Sequence, residues 1–394
     1  MILYLKCAVM RIKVLIPLGI FCLLALSLSG CIGGQTKPLG LSGVTSSDGI
    51  LYLGSMDGKI MAVNSSAPSR AEWTFAYALP STGICGSSSV PAIIYGIPAV
   101  ADNMICIGIY GGKVLMVNSL ARSQNLVFPQ LKNGEWEYPR TGDVLKPIVG
   151  SPVLTNDTVY VCSSDGRVYA LDMSYGDEKW RSDPLDDKLW TTSVVDGDVI
   201  YVSTFDGHIY TLSTEDGSLL PWVFEAEVGF VSSPVLYKNT VFVGSFDHNL
   251  YAVKIGSDKP LWKFSGSNWF WAAPVVDDDV VYAGCLDGKL YAVNAETGGE
   301  LWEFDTRAFV ERDRIVSSPV LVDDLVVVAC DSGEIYALDA NNGKLVDKVS
   351  IDVSIQGAIC VQGGIVYVRA QDNCLYAVDI SQGKVDWKFL LAIE

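Results

Sequence analysis

One pattern recurs eight times along this chain, and its spacing leaves few architectures open. Residues 280–304, VVYAGCLDGKLYAVNAETGGELWEF, show it most clearly: runs of β-branched and aromatic residues at 280–285 and 290–293 are punctuated by Asp287-Gly288 and Thr297-Gly298. Glycine reaches positive φ without a Cβ clash, so such pairs between apolar runs are hairpin chemistry. The tyrosine of LYAV has counterparts at Met61, Leu115, Tyr169, Tyr210, Tyr251, Tyr291, Tyr336 and Tyr376, spaced by 54, 54, 41, 41, 40, 45 and 40 residues. A period near 40 is that of a propeller blade rather than a helical repeat. A lone three-stranded meander cannot bury its faces, so the copies are a condition of folding.

A tryptophan follows most of these anchors by 11 or 12 residues: Trp73, Trp180, Trp222, Trp262, Trp302 and Trp387. The seventh unit has Asp347 there, and the second is expected to use Val127-Phe128. Upstream of the units stand GSPVL, SSPVL, AAPVV and SSPVL, with weaker forms near Ser42 and Ile97. These supply one more strand, whose proline is tolerable near its start because the first residue need not donate to the ladder. The fold class is therefore all-β, an eight-bladed β-propeller of four-stranded antiparallel blades over residues 41–394. The two long spacings are read as elaborated loops at residues 84–95 and 130–146. Because the repeats begin and end on whole blades, the ring is expected to close by abutment of its ends.

The start of the chain has a different character. Arg11 and Lys13 precede an apolar run, residues 14–28, that ends in Leu28-Ser29-Gly30-Cys31. A basic flank, an apolar stretch too short to span a bilayer and a small-residue cleavage site make a signal peptide. The expected division is a removed signal over residues 1–30, a lipidated N-terminus and linker over 31–40, and the propeller over 41–394, with Met1 or Met10 as the start. The formal charge is −17, and without the signal 25 basic side chains face 45 acidic ones. That balance argues against a nucleic-acid partner. A monomeric, extracytoplasmic propeller held to a membrane through Cys31 is expected.

Little in the chain points to catalysis. Seven cysteines remain beyond Cys31 (Cys85, Cys106, Cys162, Cys285, Cys330, Cys360 and Cys374), most within strand patterns and none adjacent to another. They are read as buried, free thiols. The two histidines, His208 and His248, fall at corresponding turns of neighbouring blades, where solvated turn residues are the ordinary outcome. No metal motif, phosphate loop or nucleophile elbow occurs, so no catalytic residue, cofactor or metal site is expected.

The stretches LYAVNAETGGELWEF, VYALDMSYGDEKW and LYAVDISQGKVDW resemble the pyrroloquinoline-quinone-type propeller repeat, and the likeness extends over residues 41–390. In that family the tryptophan docks blade against blade. Its quinone dehydrogenases hold cofactor and calcium with the help of adjacent cysteines, which this chain lacks. In lipobox, length and blade number the chain is similar to the lipoproteins of the outer-membrane β-barrel assembly machine. The resemblance implies a non-catalytic scaffold for protein partners in the cell envelope. The alternatives are a quinone-dependent dehydrogenase-like enzyme and a surface propeller that binds a small ligand or polysaccharide.

A docking face can be named from the repeat. Loops from the fourth strand of one blade to the first of the next share a face with the turns between second and third strands. KLWTTS puts Trp190 there, VGFVSS puts Phe230, SNWFWAAP puts Trp269, Phe270 and Trp271, and ERDRIVSS puts Arg312 and Arg314. Aromatic and arginine anchors on one surface have the composition of a binding hot spot. The competing expectation is that Trp190 and Trp271 plug the channel or seal blade junctions.

Overall fold

The computed structural model describes residues 42–66, 68–80, 89–120, 134–141 and 144–391. The signal, the linker and Cys31 lie outside them, as do Cys85 and Val127-Phe128. Eight four-stranded antiparallel sheets follow one another in chain order, each built only from consecutive strands. Blade six consists of Val275–Asp277, Val280–Gly284, Lys289–Asn294 and Glu300–Asp305. Blade one starts with Val44–Ser47 and blade eight ends with Lys384–Leu390. First strands begin one residue after the prolines, at Val153, Val235, Val275 and Val320, so no proline has to donate within a ladder.

The core lies between blades. Successive side chains of a strand point to opposite faces, and both faces of the inner strands are covered. In the third strand of blade six, Tyr291 and Val293 pack against Phe242, Leu250 and Ala252 of blade five. Leu290 and Ala292 pack against Val326, Val328 and Leu338 of blade seven. This is why LYAV is apolar at every position instead of alternating. Only the outermost strand alternates with solvent, as Lys384–Leu390 does.

Six tryptophans tie a blade to the next. Indole Nε1 donates to Met173 O from Trp136 (2.9 Å), Thr214 O from Trp180 (3.0 Å), Ser257 O from Trp222 (2.8 Å), Ala295 O from Trp262 (2.9 Å) and Ala340 O from Trp302 (3.0 Å). Trp387 of blade eight completes the circuit on Ser65 O of blade one at 3.2 Å. A buried ring with its one donor satisfied brings both area and direction. In blade two the docking residue is Trp136, not the expected Val127-Phe128. It stands opposite Met116, the register in which Trp302 stands opposite Ala292, and the insertion has only delayed the fourth strand. The other long spacing carries a small hairpin, Ala78–Pro80 paired with Ser89–Pro91, where a loop was expected.

The ends meet without exchanging strands. Val44 N–H reaches Ala358 O at 3.4 Å and Met56 N–H reaches Asn373 Oδ1 at 3.3 Å. Val44, Leu51, Leu53 and Val63 share one apolar cluster with Tyr367, Leu375 and Leu391.

The anchor tyrosine serves its own blade. Tyr169, Tyr251, Tyr291 and Tyr376 donate to Asp165, Asp247, Asp287 and Asp372, four residues earlier, at 2.6, 2.6, 2.8 and 2.7 Å. Each bond pins the turn between second and third strands to the blade. Blade seven has Ser332 at that position, and the buried Tyr336 hydroxyl has no partner among the described residues. Five of the six described cysteines are buried and Cys360 is partly so, all as free thiols. Burial pushes Cys162 and Cys285 up to about 12, leaving them protonated at neutral pH.

Two stability predictions follow from these contacts. Tyr291→Phe should cost about 1–2 kcal/mol in denaturant unfolding because it removes a hydrogen bond to a buried, charged carboxylate that keeps only the Ser267 N–H on that oxygen, whereas Tyr336→Phe should change stability by less than about 0.5 kcal/mol. Gly298 has φ 71°, and a Cβ there would lie 2.6 Å from Cγ of Trp262. Gly298→Ala should therefore destabilise by about 2 kcal/mol or more, the sum of left-handed strain and a displaced indole.

Candidate functional site: an aromatic arc at the channel mouth

Each strand is short, so the start of a first strand lies beside the turn that ends the second. Backbone bonds fix this adjacency: Phe246 N–H to Gly229 O at 3.0 Å, Leu286 N–H to Trp269 O at 2.9 Å and Asp331 N–H to Arg314 O at 3.0 Å. The loops entering the blades and the turns between second and third strands therefore form one face, as the repeat implied. At its centre is a channel of about 250 Å³ to which all eight blades contribute, among them Gly43 of blade one, Gly150 of blade three, Thr191 of blade four and Gly357 of blade eight. The wall is close-packed: a Cβ on Gly150 would come within 2.5 Å of Thr191 O.

Trp190, Trp269 and Trp271 do reach this face. Trp190 lines the channel and donates from Nε1 to Ser164 Oγ at 2.8 Å, with Lys188 Nζ 5.7 Å from its ring centre. Trp269 is half-buried, and Trp271 lines the channel with 36 % of its surface exposed. Phe230 and Phe270 do not serve as anchors, which corrects the expectation for them. Phe230 is fully buried against Phe224 and Tyr251, and Phe270 against Phe264 and Tyr291. In SNWFWAAP the side chains alternate, so the middle ring of Trp269-Phe270-Trp271 turns inward.

The two arginines also part company. Arg312 is fully exposed beside Glu311, at 3.8 Å. Arg314 is committed to Asp331, which also accepts from Ser354 Oγ at 2.8 Å and Gln356 Nε2 at 3.0 Å. Burial pushes the Asp331 carboxyl up, but the donors Gln356, Arg314 and Ser354 outweigh it and hold the group below the usual carboxylate range.

Two residues that sequence reasoning passed over complete the surface. Phe205 and Phe246 occupy the position before the aspartate in the turns TFDG and SFDH, and both are half-buried. Trp190 meets Phe205 edge to face at 5.2 Å, Phe205 meets Phe246 at 5.5 Å and Phe246 meets Trp269 at 5.0 Å. Four rings from blades four, five and six thus form a continuous arc. The signal was available: the equivalent turn position is Met56, Tyr110, Ser164, Leu286, Asp331 and Gln371 in the other blades, so two adjacent phenylalanines stand out.

The two histidines do not build a shared site. His208 stands beside Asp206, with Nδ1 and Oδ2 3.1 Å apart, while His248 is exposed in its turn at φ 69°.

Comparison with known proteins places this geometry. The model of the family described as outer membrane protein assembly factor BamB matches residues 136–237, 221–354 and 286–394. No curated protein matches the sequence significantly. Among solved structures, BamB from Moraxella catarrhalis superposes with a TM-score of 0.63 at 14% identity, covering 84% of this chain and 93% of that one. The computationally designed Ika8 protein gives 0.65 at 16% identity, covering 90% and 96%. Likenesses of that identity establish the fold. The family match, which takes in every residue from 136 to 394, goes further: the chain belongs to the family of outer membrane protein assembly factor BamB.

Proposed function

We propose that this protein is a non-catalytic scaffold, held outside the cytoplasmic membrane by a lipid on Cys31, whose channel-mouth face docks a protein engaged in outer-membrane protein assembly. The observation that carries this reading is the arc Trp190–Phe205–Phe246–Trp269. Its rings hold one another edge to face, so a partner that covers them orders few side chains on binding and keeps more of the contact energy. Large aromatic rings with a polar surround have the composition of interface anchors. Family membership supports the assembly role, and Leu28-Ser29-Gly30-Cys31 supports the anchor.

Size bears on the alternatives. A channel of about 250 Å³ is smaller than the usual ~300–1,000 Å³ of a small-molecule site. A second cavity of about 790 Å³ beside it on the same face falls within that range, but its lining of Asp287, Asp305, Arg307 and Arg312 is charged where small-molecule sites are mostly apolar.

The docking test places a photoreactive residue at Trp269 in the native membrane, with Asp278 on the opposite face as control. Capture of an envelope protein from Trp269 alone is expected, and Trp269→Ala should weaken that complex by about 2 kcal/mol or more. Capture from Asp278 alone would mean that the other face is used. For the anchor, Cys31→Ser should move the protein from the membrane to the soluble fraction; retention on the membrane would require a different anchor.

A further inference from the structure

We propose that Asp186, Asp206 and His208 form a site for a divalent first-row transition ion, with Zn²⁺ as its representative, on the channel-mouth face of blade four. The first ground is a departure from the repeat. In blades three, five, six and eight the anchor tyrosine donates to the aspartate four residues before it. In blade four that aspartate is Asp206, yet the Tyr210 hydroxyl turns instead to Asp186 Oδ2, on the loop that enters the blade, at 2.8 Å. Asp206 Oδ2 is left 3.1 Å from His208 Nδ1.

The second ground is the state of that nitrogen. His208 Nδ1 is sealed from solvent and makes no hydrogen bond, although a carboxylate oxygen lies within reach. The pair is close but misdirected for N–H···O. A separation of 3.1 Å instead falls within the ~2.9–3.4 Å expected between two donors on one ion with metal–ligand bonds of about 2.0–2.2 Å. One donor atom from each of the three side chains lies within 4.8 Å of the others. Among the described residues neither carboxylate is paired with a lysine or arginine; Asp206 Oδ1 accepts from Thr204 Oγ1 and Asp186 Oδ2 from Tyr210, which leaves Asp206 Oδ2 and Asp186 Oδ1 as donors to an ion.

The donor set selects the ion. One imidazole nitrogen and two carboxylate oxygens suit zinc or its first-row neighbours, whereas calcium takes six to eight oxygens. Three protein ligands leave a coordination position for water or for a donor from a partner. The ligands are also preorganised. The His208 ring is stacked on Tyr210 at 5.2 Å and 23°, and its backbone N–H is fixed to Thr204 Oγ1 at 3.0 Å. Tyr210 orients Asp186 from outside, as an outer-shell partner does. The ion would clasp the loop that carries Trp190 to the turn that carries Phe205. The proposed site departs from the sequence expectation of no metal, because its ligands come from two segments 20 residues apart, with no recognisable spacing. It rests on observations separate from the docking reading.

The test titrates metal-stripped protein with Zn²⁺ alone, by calorimetry and thermal unfolding, and locates the ion by anomalous diffraction. One saturable equivalent is expected, with a higher Tm and an anomalous peak between Asp206 and His208. His208→Ala and Asp206→Asn should each weaken binding at least about tenfold, and Tyr210→Phe by about tenfold; His248→Ala should leave it unchanged. Co²⁺ in place of zinc should give a visible band that His208→Ala alters. Failure to bind one equivalent, a peak elsewhere, unchanged affinity in His208→Ala, or equal affinity for Ca²⁺ would each overturn the proposal. If a variant does not fold, as judged by its far-ultraviolet spectrum, the anomalous map of the unaltered protein decides alone.

Discussion

Six indole N–H groups, each placed on a backbone carbonyl of the following blade, set the terms for the rest of the molecule. A single four-stranded blade exposes apolar side chains on both faces and is not a stable object by itself. The tryptophan makes its neighbour part of its own core. It also fixes direction, because the ring must lie over the turn of the next blade for its nitrogen to find that carbonyl. Repetition of that one contact at six of the eight junctions gives a constant rotation from blade to blade, and the last of them brings Trp387 to Ser65. Blade seven offers Asp347 to Gly383 instead, so the junction of blades seven and eight relies on its aliphatic cluster.

The architecture was legible because the repeat encodes it redundantly: an apolar inner strand, a turn glycine and a docking ring recur in fixed order, so a blade with one signal missing could still be counted. Legibility failed where a signal slid along the chain. Trp136 escapes a fixed distance from the anchor, because the physical requirement is only that the ring reach the next turn. The site was less legible for a related reason. Phe230 and Phe270 sit in the right loops, but inward or outward orientation depends on where the strand alternation begins, and a loop residue does not declare that. Phe205 and Phe246 stand in turns whose glycine and aspartate dominate the pattern, and what a turn displays to solvent has no signature of its own. Pairings such as Arg314 with Asp331 join separate segments and have no local pattern.

The channel-mouth face is the more tightly braced part of the propeller. There the entering loops and the turns between second and third strands are cross-linked by backbone hydrogen bonds and by the tyrosine–aspartate pairs, so the side chains on display are held on a stiff frame. Rigid presentation favours recognition of a partially extended or flat surface, because little has to be ordered on contact. The aromatic arc occupies three consecutive blades of this face, and the polar network around Asp331 occupies the next two. A surface that is apolar on one side and charged on the other can set a partner's orientation as well as hold it.

Because every blade is made of its own four strands, and the first and last simply abut, the position of the chain ends carries no topological information. Cutting any loop between blades and joining the present ends through a linker would leave the same pairings, the same tryptophan circuit and the same mouth. The fold is in this sense a closed word that can be read from any letter. A ring whose seam was a shared blade would have only one place to begin, whereas here every strand would keep its partners in a circular permutant.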